Sequence, residues 1–149
     1  MKKYISIAFL TLFVNLLMAS VSLEIQNVDT GAGTLDVYLI NSEPVGGFQF
    51  ELFDITIIDA TAPTGFLVST TSSMVLGFSF TGATIPAGEG LLTQVTFSDF
   101  GGVDICFGTD PTNNLFSNAT GSAALSTEWG ECYCTVEFDE CGVCGGYGI

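Results

Sequence analysis

MVLGFSFTGATIPAGEGLLTQVTF, residues Met74 to Phe97, is the stretch that decides the fold. Its two arms, Met74 to Thr81 and Leu91 to Ser98, are rich in β-branched and aromatic residues set among small and polar ones, which predicts two strands. Between them lies Gly82-Ala83-Thr84-Ile85-Pro86-Ala87-Gly88-Glu89-Gly90. That link is long for a tight hairpin and suits strands that cross from one sheet to another. Leu92, Val95 and Phe97 are expected in the core, with Ile85 plugging the edge of a sandwich.

The same pattern continues on both sides. Upstream, Leu23, Ile25 and Val28, then Leu35, Val37 and Leu39, alternate with polar residues around the turn Asp29 to Gly33, and predict a first hairpin that ends at Asn41-Ser42-Glu43-Pro44. After Gly46-Gly47, the run FQFELF is the clearest period-two segment of the chain. Phe48, Phe50 and Leu52 should face inward, with Gln49, Glu51 and Phe53 outward. Ile55 to Ile58 and Phe66 to Ser69 predict further short strands. Downstream, a strand is expected over Val103 to Phe107, a loop over Asp110 to Asn114 and a last strand within Ala123 to Trp129. No stretch combines helical periodicity with caps, so no helix is expected after the N-terminal segment. Short strands with Gly and Pro turns at this spacing predict an all-β, antiparallel sandwich of jelly-roll type.

The first residues carry Lys2 and Lys3, an apolar run from Tyr4 to Met18 and the small residues Ala19, Ser20 and Ser22. This is the layout of a secretory signal peptide, with cleavage expected between Ala19 and Leu23. The run is short for a membrane span and is interrupted by Asn15. The expected organisation is therefore a signal peptide over 1–22, a β-sandwich over 23–130 and a Cys-rich tail over 131–149, in a chain that is secreted or displayed at the cell surface.

Lys2 and Lys3 are the only basic residues in 149, against 16 carboxylates and no His. Without Lys or Arg the exported chain cannot neutralise phosphates, which excludes nucleic acid and direct attachment to anionic membranes. Ser-His-Asp and Cys-His catalysis are equally absent, and the chain is expected not to be an enzyme. A glycosidase-type carboxylate pair is the remaining chemistry, with Glu51, Asp54 and Glu89 as its candidates, so a fragment of a secreted glycoside hydrolase is one alternative reading.

Several side chains stand out as binding candidates. Trp129, Tyr38 and Tyr133 have rings on which a sugar could stack, although a lone Trp beside cysteines more often plugs a core. Asn118-Ala119-Thr120 is an N-glycosylation sequon placed in a predicted loop. The five cysteines, Cys106, Cys132, Cys134, Cys141 and Cys144, lie in the last third of an exported chain and are expected to form disulfides. Cys106 is placed to pair with Cys132 or Cys134 and pin the final strand to its sheet. Four thiolates from Cys132, Cys134, Cys141 and Cys144 around zinc are the rival, favoured only in a reducing compartment. An odd cysteine count suggests a chain that continues into a longer Cys-bearing tail, or a thiol that pairs with another molecule.

Val45-Gly46-Gly47-Phe48-Gln49-Phe50-Glu51-Leu52, Gly77-Phe78-Ser79-Phe80, Ile85-Pro86-Ala87-Gly88-Glu89-Gly90-Leu91-Leu92 and Val95-Thr96-Phe97 together resemble the spaced signature of cohesin-like domains, sandwiches related to carbohydrate-binding modules. The resemblance covers about residues 23 to 130. It implies a nine-stranded jelly roll without catalysis that binds an extracellular protein or a polysaccharide, in adhesion, scaffolding or glycan contact. Asp139-Glu140-Cys141-Gly142-Val143-Cys144-Gly145-Gly146 resembles one unit of the Asp-x-Cys-Gly-x-Cys-Gly-Gly repeats related to thrombospondin type 3 repeats. That resemblance implies either a disulfide-stapled linker or a calcium site held by Asp139 and Glu140, and no cofactor is expected to be required. A structural alternative is an extracellular filament subunit, in which the segment Leu23 to Val28 completes a neighbour's sheet by strand addition.

Overall fold

The computed structural model describes residues 19–136 and Cys144. Asp139, Glu140 and Cys141, and with them the expected calcium site and most of the Cys-Gly unit, lie outside the described residues, as does nearly all of the expected signal peptide. Twelve short strands and no helix are found among the described residues.

Two sheets pack face to face. The first takes β1 (Val21–Asp29), β2 (Thr34–Asn41), β4 (Thr56–Ala60), β7 (Gly88–Ser98) and β11 (Thr127–Trp129) in the order β11-β1-β2-β7-β4. The second runs β10-β9-β3-β6-β5, from β3 (Val45–Phe53), β5 (Leu67–Thr70), β6 (Met74–Phe78), β9 (Leu115–Asn118) and β10 (Ala124–Leu125). β8 (Asp104–Phe107) continues it along the far end of β3, and β12 (Tyr133–Cys134) pairs with β8. Among the described strands every pairing is antiparallel except that of β1 with β11, which is parallel. This departs from the all-antiparallel expectation, because β11 reaches its place after the chain has crossed from the second sheet to the first.

The core is built as strand alternation dictates. Val21 and Leu23 on β1, Leu35, Val37 and Leu39 on β2, and Val95 and Phe97 on β7 bury against Phe48, Phe50 and Leu52 on β3, Val75 on β6 and Phe116 on β9. Phe48 stacks at 5.6 Å from Phe116, 6.2 Å from Phe50 and 6.1 Å from Phe66. The inward face expected for FQFELF and the burial expected for Leu92, Val95 and Phe97 are both observed. Leu92 is the extra residue of a register shift between β7 and β2, which allows Thr93 to be buried as well. The Thr93 hydroxyl donates to Thr61 O at 2.7 Å, so it is satisfied in place.

The link after β6 does cross between sheets, since β6 belongs to one and β7 to the other. Ile85 marks the crossing: its N–H and C=O exchange hydrogen bonds of 2.8 and 2.9 Å with Val45 on β3, and its side chain packs against the core. Asn41, buried at the end of β2, donates to Pro86 O at 3.0 Å and to Glu43 O at 2.9 Å. The link is thereby tied to both sheets.

Two strand boundaries differ from expectation. β6 stops at Phe78 because Ser79 turns back, its Oγ accepting from Thr81 N–H and Ala83 N–H. Asn118 closes β9 and is not in open loop; its Oδ1 accepts from Ser122 N–H at 3.0 Å and so builds the turn into β10. Among the described residues the sandwich's pairing runs from Val21 on β1 to Cys134 on β12. Val21 is fully buried, so a cut after Ala19 or Ser20 leaves β1 whole and a later cut removes a core residue.

Candidate functional site

Strand alternation on β6 leaves a surface that burial does not consume. Val75 and Gly77 point inward, so Met74, Leu76 and Phe78 point out. On the neighbouring strands Leu67 pairs with Phe78, and Gln49 with Leu76. Leu67 is 50% exposed and Leu76 38%. Phe80, on the turn just after β6, is 84% exposed and meets Phe78 edge to face at 5.2 Å. A ring this open is costly to hydrate and gains most when covered. Together these side chains make an apolar patch on the outer face of β5 and β6, flanked by Gln49 and Glu51 on β3.

The aromatic residues singled out in the sequence are not gathered into one platform. Trp129 sits half-buried on β11, its indole 5.6 Å from Phe107 and 5.9 Å from Phe116, which makes it part of the core's side wall. Tyr133, on β12, packs near Phe100 and shares a groove with Trp129. Tyr38 stands apart on the outer face of β2. Partial desolvation, then the carboxylates of Glu89 and Glu24, hold its hydroxyl above the ordinary tyrosine range.

Cys106 bonds to Cys132 and Cys134 to Cys144. These pairings realise the expected anchor of Cys106 and replace the four-thiolate zinc reading, because a disulfide sulphur is no longer a thiolate donor. Asp104 lies close to the Cys106–Cys132 sulphurs, and for the same reason that grouping is not a metal site.

The three carboxylates considered for catalysis are dispersed. Glu51 faces out from β3 and accepts from the Asn114 amide at 2.8 Å, whereas Glu89 lies on β7 in the other sheet. Asp54, just after β3, instead meets Asp104. Desolvation, then the hydrogen bond and charge of Asp54, hold the Asp104 carboxyl above its ordinary range. The folded chain therefore grips this proton more tightly than the unfolded chain does. The resulting stability is present below the ordinary carboxylate range and is lost as pH rises through the raised pKa. Asp104→Asn keeps the hydrogen bond and removes the repulsion. Thermal melts should show Tm higher by about 2 °C at pH 7 and unchanged near pH 3, the size being that of a solvent-screened charge pair.

No family model matches the chain, and no curated protein matches it. Among solved structures, a chain in the crystal structure of the CaDoc0917–CaCohA2 complex, a dockerin with a cohesin, at pH 5.5 is similar to it. The TM-score is 0.50 at 18% identity, over 72% of this chain and 92% of that one. The class defined is thus a cohesin-like β-sandwich, and at that identity the likeness speaks for fold alone.

Proposed function

We propose that this chain is a non-catalytic, exported binding module that holds a protein partner on the outer face of β5 and β6. The observation that carries this reading is the cluster of exposed Leu67, Leu76 and Phe80 around half-buried Phe78. Exposed apolar patches with polar surroundings mark protein-binding surfaces, and aromatic anchors dominate their energetics. All 16 carboxylates of the exported chain go without a basic counterpart. Its partner is expected to bring Lys or Arg around an apolar centre. The two disulfides suit an oxidising, extracellular setting, and no helix among the described residues is long and apolar enough to cross a membrane. The neighbouring structure is itself a complex of two proteins, which supports a protein partner in general terms.

The strand-addition reading requires β1 to leave its own sheet, where β2 and β11 pair it on both edges. The binding face needs no such rearrangement. Phe80→Ser with Leu76→Ser tests it, since both positions are exposed and the variant should melt like the parent. Partners captured by the immobilised protein from the growth medium of its own source should be retained at least about 30-fold less by the double variant, as for loss of an aromatic hot spot. Equal capture by both proteins would overturn the proposal.

A further inference from the structure

A second surface lies on the other side of the molecule, where β1 is only partly covered. β11 pairs with Val21, Ser22 and Leu23 and no further. At Gly130 the backbone presses against Leu23 O and the Glu24 Cα, leaving no room for a Cβ, and the chain then turns away to β12, which pairs with β8 of the other sheet. β2 covers the opposite edge of β1 continuously from Val21 to Gln26. Successive residues of a strand direct their N–H and C=O to opposite edges. Val21 N–H donates toward β11, to Ser126 O at 2.9 Å, so Leu23 and Ile25 address that same edge. Beyond Leu23 there is no strand to meet them among the described residues.

What lies beside Ile25 is a groove of about 520 Å³ between β1 and β12. Trp129 and Tyr133 line it, both half-buried, and Glu24, Glu128 and Glu131 contribute carboxylates. Cys132 and Cys134 also line it, and each is held by a disulfide.

We infer that this groove is an acceptor site for an extended, Lys- or Arg-bearing segment of a partner protein, which adds to the edge of β1 beside β11. An added strand would satisfy the Ile25 N–H and C=O. Its cations would meet three carboxylates that have no basic residue in the exported chain to pair with, and could lie over the Trp129 and Tyr133 rings. A second copy of this chain is disfavoured as the occupant, because it would bring only more negative charge. The acceptor is short. Asn27 has φ of 51° and the register with β2 shifts between Gln26 and Asp29, so the straight edge ends at Gln26.

The test uses an eight-residue peptide of alternating Arg and Val, with alternating Glu and Val as its control. Amide exchange of the protein is followed by NMR. In the free protein the Ile25 amide should exchange fast while Glu24 and Gln26, bonded to β2, are protected. The basic peptide should slow Ile25 exchange at least about tenfold and the acidic one should not. Replacing Glu24, Glu128 and Glu131 by Gln should weaken the basic peptide about tenfold, the summed effect of three exposed charge pairs. Ile25 protected in the free protein, no binding of the basic peptide, or binding that the triple variant leaves unchanged would each overturn the inference. Binding that shifts Leu76 and Phe80 while sparing Ile25 would overturn it too, and would leave the β5–β6 reading standing.

Discussion

Gly77→Ala is expected to destabilise the fold by about 1–3 kcal/mol, the range of an overpacked core, lowering Tm by about 4–12 °C. Gly77 lies on β6 opposite Phe48 on β3, and a Cβ at Gly77 would fall within the edge of the Phe48 ring. That ring has nowhere to retreat, because Phe50, Phe66 and Phe116 hold its other sides. Glycine is used here as an empty socket for an aromatic side chain. Phe48→Leu, which vacates the ring, should therefore be less damaging in the Gly77→Ala background than alone. Urea titration of the four proteins would give the coupling directly. Additive effects would mean that the ring already swings clear of β6.

Loss of the Cys106–Cys132 disulfide should be costlier still. The bond closes a loop of 26 residues, and the chain-entropy relation assigns such a loop about 3.5 kcal/mol. Replacing both cysteines with Ser should lower Tm by roughly 14 °C in a domain of this size. The shorter loop of 10 between Cys134 and Cys144 corresponds to about 2.7 kcal/mol by the same relation. Cys106 lies on β8 and ties the segment leading into β12 to the second sheet, whereas the second bond ties Cys144 to β12. Melts of the two double variants under matched oxidising conditions rank them. If the Cys134–Cys144 variant proved the weaker, β12 would be the element that closes the sandwich.

How far these features can be read from residues differs by element. Phe48, Phe50 and Leu52 are legible because three large apolar residues alternate with polar ones on a single strand. The β6–β7 link is legible from its length and from Ile85. β9 is not, since Leu115–Asn118 is only four residues, half of them polar, and the turn formers Asp110 to Asn114 precede it. β12, with two residues, carries no periodic signal at all. The β5–β6 patch was available but inverted. In MVLGFSF a glycine occupies the inward phase with Val75, so the larger residues Leu76, Phe78 and Phe80 fall on the outward phase. A period of two assigns alternate faces without saying which is wet, and that choice depends on Phe48 from another strand. The groove beside Ile25 is hidden for a related reason: it exists because β11 stops after three residues, and the partners of β1 and β11 are distant in sequence.

That last pairing has a kinetic consequence. Val21 sits beside Thr127 across more than a hundred residues of chain, and the parallel ladder they begin is what closes the first sheet. Contacts of such long range must meet the loop-closure entropy of almost the whole domain before they contribute. The sheet consequently cannot be finished until the chain out to Trp129 is available. Folding should wait for the arrival of Trp129 and then proceed over milliseconds to seconds, as for other sandwiches dominated by non-local pairs. In that interval β1 and its neighbours are open to one another on every unfinished chain. The negative charge, for which the chain beyond Lys3 holds no Lys, Arg or His, keeps those unfinished sheets apart.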